Sequence, residues 1–269
     1  MALDLLMRVF ITGTYLAIGT TLDVLNNKDI PNNIMLLFII SSLLFSYVLL
    51  PWGQFTFALL QAVLILALGY IAYKFGIMGL ADPVFFSIIA LMFPIVPSSL
   101  VGVPFILPVL LYSGVLFGLF SAIYFSIAVA RKGISKLEWK NALILPAFLV
   151  FWYFYSSSSM LYNPLFAALL FILSLSASLV GIFAPDIKKA ITSTLPVDEA
   201  EEEVIAEDLP TNIKAVVGNS KVVDRKLIEK LKKKGIREIP VYAGMLPYLP
   251  FLAAGFLLSL FYANLILFF

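Results

Sequence analysis

The sequence predicts an all-α polytopic membrane protein of about eight transmembrane helices, with a small α+β cytoplasmic insertion before the last helix. Three observations carry this expectation. Hydrophobic residues make up 62% of the 269 residues and charged residues only 13%. With a mean hydropathy of +1.03, the chain has the bilayer as its main solvent. Apolar runs fall at about residues 5–22, 34–50, 56–74, 83–98, 105–130, 142–157, 164–184 and 246–268. Most are long enough for a helix to approach the roughly 30 Å of a hydrocarbon layer.

The third observation is where the charges lie. The fourth run is interrupted by Pro94 and Pro97, and the sixth is short and ends at Ser156–Ser159, so six or seven spans would also fit the apolar runs. Eight spans with both termini outside put residues 23–33, 75–82, 131–141 and 185–245 in the cytoplasm. Of the 18 Lys and Arg residues, all but Arg8 then lie in or beside these segments, with Lys74 at the end of the third helix. The outer connections at 51–55, 99–104 and 158–163 carry no charge. This is the positive-inside pattern, and it favours eight. The implied organisation is a membrane domain at 1–184, a cytoplasmic insertion at 185–245 and a last helix at 246–269, in an integral protein of the cytoplasmic membrane. The first run lacks a basic flank and a small-residue cleavage site, so it is expected to be a retained helix.

The insertion opens with an acidic stretch from Asp198 to Asp208. A β-like run, Ile213–Val217, follows. Ser220 or Asp224 then opens a basic amphipathic helix that ends at Gly235, and a second β-like run covers Ile236–Tyr242. Its charge runs read as a solvated surface near anionic headgroups, or as a substrate dock. A unit of this size buries little core alone and is expected to lean on the membrane domain.

The chain has no cysteine and no histidine. That excludes disulfides, thiol nucleophiles, Cys/His metal sites and His-based triads, and no cofactor or metal is expected. Nothing in the sequence indicates nucleic-acid binding, and it leaves the oligomeric state open. Chemistry falls to carboxylates, hydroxyls, amides and Lys or Arg. Ionisable groups within spans are costly and therefore functional candidates. Asp4 and Arg8, spaced i and i+4, read as a structural anchor. Asp23 ends the first span and Asp82 begins the fourth, at the same cytoplasmic depth. Each has a bland reading, Asp23 as interfacial decoration and Asp82 as an N-cap ahead of Pro83. Together they can do more. Two carboxylates sharing one proton can activate water and polarise a carbonyl. By the dipoles of their own helices, Asp82 would carry the charge and Asp23 the proton. Acidic pairs in membranes also serve proton- or cation-coupled transporters, which is the alternative reading, and a non-catalytic assembly platform is a third.

Asp23 is followed by Lys28-Asp29-Ile30-Pro31-Asn32, and Asp82 closes Gly79-Leu80-Ala81-Asp82. These elements resemble the type IV prepilin peptidase family of GxGD-type aspartic peptidases, most closely its archaeal preflagellin and prepilin peptidase branch. Ala81 stands where that motif has a second glycine. Pro247-Tyr248-Leu249-Pro250-Phe251 is similar to the family's Pro-rich lead-in to its final span. The resemblance implies that Asp23 and Asp82 are a catalytic dyad, with Gly79, Ala81, Lys28, Pro31 and Asn32 shaping the site or binding substrate. It also implies that the substrates are type IV pilin-like precursors, cut at the cytoplasmic face between a short basic leader and the hydrophobic helix. The hairpin at 142–184 is additional to the family's six-helix plan.

Overall fold

A computed structural model describes residues 2–25, 30–97, 102–132, 140, 143–157, 163–201, 203–242 and 246–267. Each of the eight apolar runs contains a helix: α1 (Ala2–Leu25), α2 (Asn32–Leu49), α3 (Trp52–Lys74), α4 (Ala81–Met92), α5 (Ile106–Lys132), α6 (Ile144–Ser157), α7 (Pro164–Ile182) and, last in the chain, α11 (Leu249–Leu267). Among the described residues, five of these (α1, α2, α3, α5 and α7) are long and apolar enough to cross a membrane. The chain is thus a mostly helical integral membrane protein with five candidate spans. The described apolar stretches of α4 and α11, Ala81–Met92 and Leu249–Ala263, are shorter.

Helix α4 sits at the centre. Its 12 residues rise about 18 Å, too little to cross. Phe85, Ile88, Ile89, Ala90 and Met92 have no exposed surface, so the other helices rather than lipid enclose it. Helices α1, α2, α3 and α5 all contact it. It stops because Pro94 follows Phe93, whose φ of −133° and ψ of 76° already leave the helix. The carbonyls freed there are met by neighbours. Arg8 of α1 donates to the Met92 carbonyl at 2.9 Å, and Gln61 of α3 donates to that of Pro94 at 2.9 Å. Irregular backbone at this depth is tolerated when protein groups satisfy it. Arg8 also lies over the Phe93 ring at 5.3 Å. The anchor expected of Asp4 and Arg8 therefore includes the end of α4, alongside the electrostatic pull of Asp4.

Helix α11 packs along α5 and against α1, α7 packs on α5, and α6 packs on α7. Between α7 and α11 come α8 (Ala184–Ile191), β1 (Ser193–Pro196), α9 (Thr211–Val217), α10 (Arg225–Lys233) and β2 (Glu238–Val241). The strands are antiparallel, with Ser193 opposite Val241 and Pro196 opposite Glu238. Val223, Leu231, Ile239 and Val241 are fully buried in a core of their own with Leu227, Ile213 and Val217.

Two expectations change here. The run Ile213–Val217 is helix α9, not a strand: Ile213 and Val217, one turn apart, are the buried residues. Pro210 sets the start, its carbonyl accepting the amides of Ile213 and Lys214. Tertiary burial at helical spacing overrides the β-propensity of a Val-rich run. Helix α8 and strand β1 were not anticipated; α8 turns Ile187 inward against Phe125 and Val129. The basic helix forms as expected, and Asp224 rather than Ser220 opens it, its side chain accepting the Leu227 amide. Gly235, at φ +69°, follows its end.

Candidate active site

Both aspartates are placed by helix packing at the same end of the bundle. Asp23, 7% exposed, lies in the last turn of α1. Asp82 lies in the first turn of α4 and is partly buried. The helices approach closely because position 19, one turn before Asp23, is glycine. A Cβ there would fall 2.3 Å from Phe85 Cζ, inside van der Waals contact. On the opposite side, Gly69 of α3 receives Pro83, which an added Cβ would meet at 2.1 Å. The residues flanking Asp82 are thereby fixed between α1 and α3, and the two aspartates interact electrostatically.

Each carboxylate accepts a backbone amide. Gly79 N–H donates to Asp82 Oδ2 at 3.2 Å, and Leu249 N–H donates to Asp23 Oδ2 at 3.2 Å. Asp82 is not the cap residue of α4; the cap is Leu80. From the second helical position Asp82 reaches back to the Gly79 amide, a related way of satisfying a helix start. Asp23 ends α1 yet faces the first amide of α11, which no reading of α1 alone could reveal. Both carboxylates therefore sit at helix N-termini, and the dipole argument for placing the proton on Asp23 loses its basis.

The remaining expected site residues divide. Gly79 is exposed, and among the described residues a Cβ there would find only Asp82 Oδ2 at 3.7 Å, so these residues leave space beside the carboxylate. Ala81 is the first residue of α4 and packs on the central core. Among the described residues, the positive-φ glycines are 76, 102, 218 and 235. Position 81, inside a right-handed helix, has no need of glycine freedom, which accounts for the alanine. Pro31 is the N-cap residue of α2, and its carbonyl accepts the Ile34 and Met35 amides. Pro31 and Asn32 are exposed, and no described contact joins them to the aspartates. Lys28 lies outside the described residues.

Tyr248 and Leu249 also reach the aspartates, although neither side chain is of a type that marks a catalytic group. Tyr248 interacts electrostatically with Asp82, and its hydroxyl pairs with Ser113 Oγ at 2.8 Å. The Pro-rich lead-in was the only sequence signal there, because Leu249 acts through its main chain. The insertion touches the loop that precedes Asp82: a Cβ on Gly76 would meet Val204 Cγ1 at 3.3 Å and Lys221 Cβ at 3.6 Å. Among the described residues, no group of three carboxylates gathers that could hold a metal ion.

Residues 10–123, which include both aspartates, match the model of the type IV leader peptidase family. The resemblance read from the motifs is borne out over that stretch. No curated protein matches the chain, and no solved structure does.

Proposed function

With the type IV leader peptidase match as premise, we propose that the chain is a membrane-embedded aspartic endopeptidase. It removes the short basic leader from type IV pilin-like precursors, archaellins or pilins, at the cytoplasmic face of the cell membrane. The observation that carries this reading is the electrostatic coupling of Asp23 and Asp82 at the ends of two touching helices, inside the matched segment. A leader peptidase function in general terms rests on the family match. The precursor class rests on the motif resemblance, and the cytoplasmic placement on the distribution of Lys and Arg.

In the proposed reaction the two carboxylates share one proton. The ionised member takes a proton from a water molecule as the water oxygen attacks the scissile carbonyl carbon. The protonated member donates to the carbonyl oxygen as it becomes tetrahedral. Collapse breaks the C–N bond as one carboxyl proton passes to the leaving amine and a hydroxyl of the tetrahedral gem-diol returns its proton to the other carboxylate, so the pair again holds one proton. The exposed Gly79 beside Asp82 leaves room for an extended substrate backbone.

Co-expression with a pilin-type precursor tests the reading. Leader removal should occur with the wild type and disappear with Asp23→Asn and with Asp82→Asn at equal membrane levels. Unaltered cleavage in either variant would reject the dyad. Ion flux into proteoliposomes that depends on Asp23, without cleavage, would favour a proton- or cation-coupled transporter.

A further inference from the structure

Just ahead of α11 the chain is attached to three helices within two residues. The Tyr248 hydroxyl pairs with Ser113 Oγ of α5 at 2.8 Å. Its ring packs 5.8 Å from Phe86 of α4 and 5.2 Å from Phe117 of α5. The next residue, Leu249, has a side chain 1% exposed and donates its amide to Asp23 of α1. The amide is therefore held in place independently of the carboxylate it meets. A fixed N–H at a helix N-terminus orients a carboxylate and favours its ionised form.

We propose that Tyr248 and Leu249 form a third wall of the site, with Leu249 a positioning residue whose main-chain N–H orients the Asp23 carboxylate for proton transfer. The inference rests on the peptidase reading above. The amide engages Asp23 Oδ2 and so restricts rotation of the carboxylate. Among the described residues, titratable groups in this neighbourhood include Asp82, which interacts electrostatically with Asp23, and Tyr248, which interacts with Asp82. Tyr248 thus links α5 and α4 to the residue whose amide meets Asp23.

The position allows a clean test, since Leu249 is the first residue of α11, where proline is tolerated. Leu249→Pro removes the N–H, whereas Leu249→Ala removes the side chain and keeps it. Both lose the packing of a buried leucine, and only the proline variant also loses the N–H. In full-length protein assayed on a pilin-type precursor, Leu249→Pro should move the acid limb of the pH–activity profile up by roughly one to two pH units. Leu249→Ala should leave that limb where the wild type has it. Tyr248→Phe keeps the ring contacts and releases Ser113; it should lower kcat at unchanged KM, and it provides a reading if Leu249→Pro does not accumulate. Superimposable acid limbs for the proline and alanine variants, or a wild-type kcat for Tyr248→Phe, would overturn the inference and leave the peptidase reading intact. Continued cleavage by the Asp→Asn variants would instead overturn the peptidase reading.

Discussion

The tip of the Phe85 ring of α4 points at Gly19 of α1, so close that a Cβ at position 19 would sit 2.3 Å from Phe85 Cζ. The ring cannot readily swing aside, because it has no exposed surface and meets Phe38 edge-on at 6.2 Å. Gly19 precedes Asp23 by one turn and Phe85 follows Asp82 by nearly one. This contact therefore sets the spacing of the two carboxylates.

Gly19→Ala is accordingly expected to push α1 from α4 and to slow leader cleavage on the order of tenfold to a hundredfold. Shortening the opposing ring, as in Gly19→Ala with Phe85→Leu, should recover part of the loss. Cleavage rates at matched membrane levels measure both. A wild-type rate for Gly19→Ala would mean that the helices are not held at this contact.

Substitutions at Asp82 should separate its structural bond from its charge. Asparagine keeps an oxygen that can accept the Gly79 amide, so Asp82→Asn should abolish cleavage with little change in thermal stability. Asp82→Ala also loses the hydrogen bond and should be less stable than the Asn variant by about 1 kcal/mol. Equal destabilisation by the two would assign their inactivity to structure rather than chemistry.

At the other end of α4, Arg8→Met leaves the Met92 carbonyl without its donor in an apolar interior. The expected cost is about 1–3 kcal/mol, seen as a lowered midpoint of thermal unfolding in detergent. Arg8→Lys retains a donor and should lose less. Since ten residues of α4 put Met92 about 15 Å from Asp82, the folded fraction should cleave normally. A specific activity that falls in step with the Asp82 variants would contradict this.

For the insertion, Asp224→Ala removes the side chain that receives the Leu227 amide at 2.8 Å, at a cost of about 1 kcal/mol. Limited proteolysis should cut the α10 region faster while the membrane helices stay intact. Unchanged protection would mean that Asp224 contributes little to holding the insertion.

Much of this arrangement was legible in the sequence, for identifiable reasons. A bilayer demands long apolar runs, so all eight predicted segments contain helices, and Pro94 already marked the fourth as interrupted. Asp23 and Asp82 stood out because charge near a span is costly. What the sequence concealed was carried by the backbone or by burial. Leu249 meets Asp23 through a main-chain N–H across 226 positions, and no residue type encodes that. The β-branched composition of Ile213–Val217 suggested a strand, whereas the buried face follows helical spacing. Leu80 took the helix cap expected of Asp82 because the helix starts two residues earlier, at Ala81 rather than Pro83. The proton assignment rested on each aspartate's own helix, and α11 supplied a second dipole that a linear reading cannot see.

The most direct measurement is the cleavage rate of a pilin-type precursor by the purified full chain reconstituted in liposomes, for the wild type, Asp23→Asn and Asp82→Asn. Release of the leader by the wild type alone is expected, with loss of cleavage in each single variant while its thermal unfolding stays close to that of the wild type. Retention of substantial cleavage by either variant, or failure of the purified wild type to cut any type IV pilin-like precursor, would contradict it.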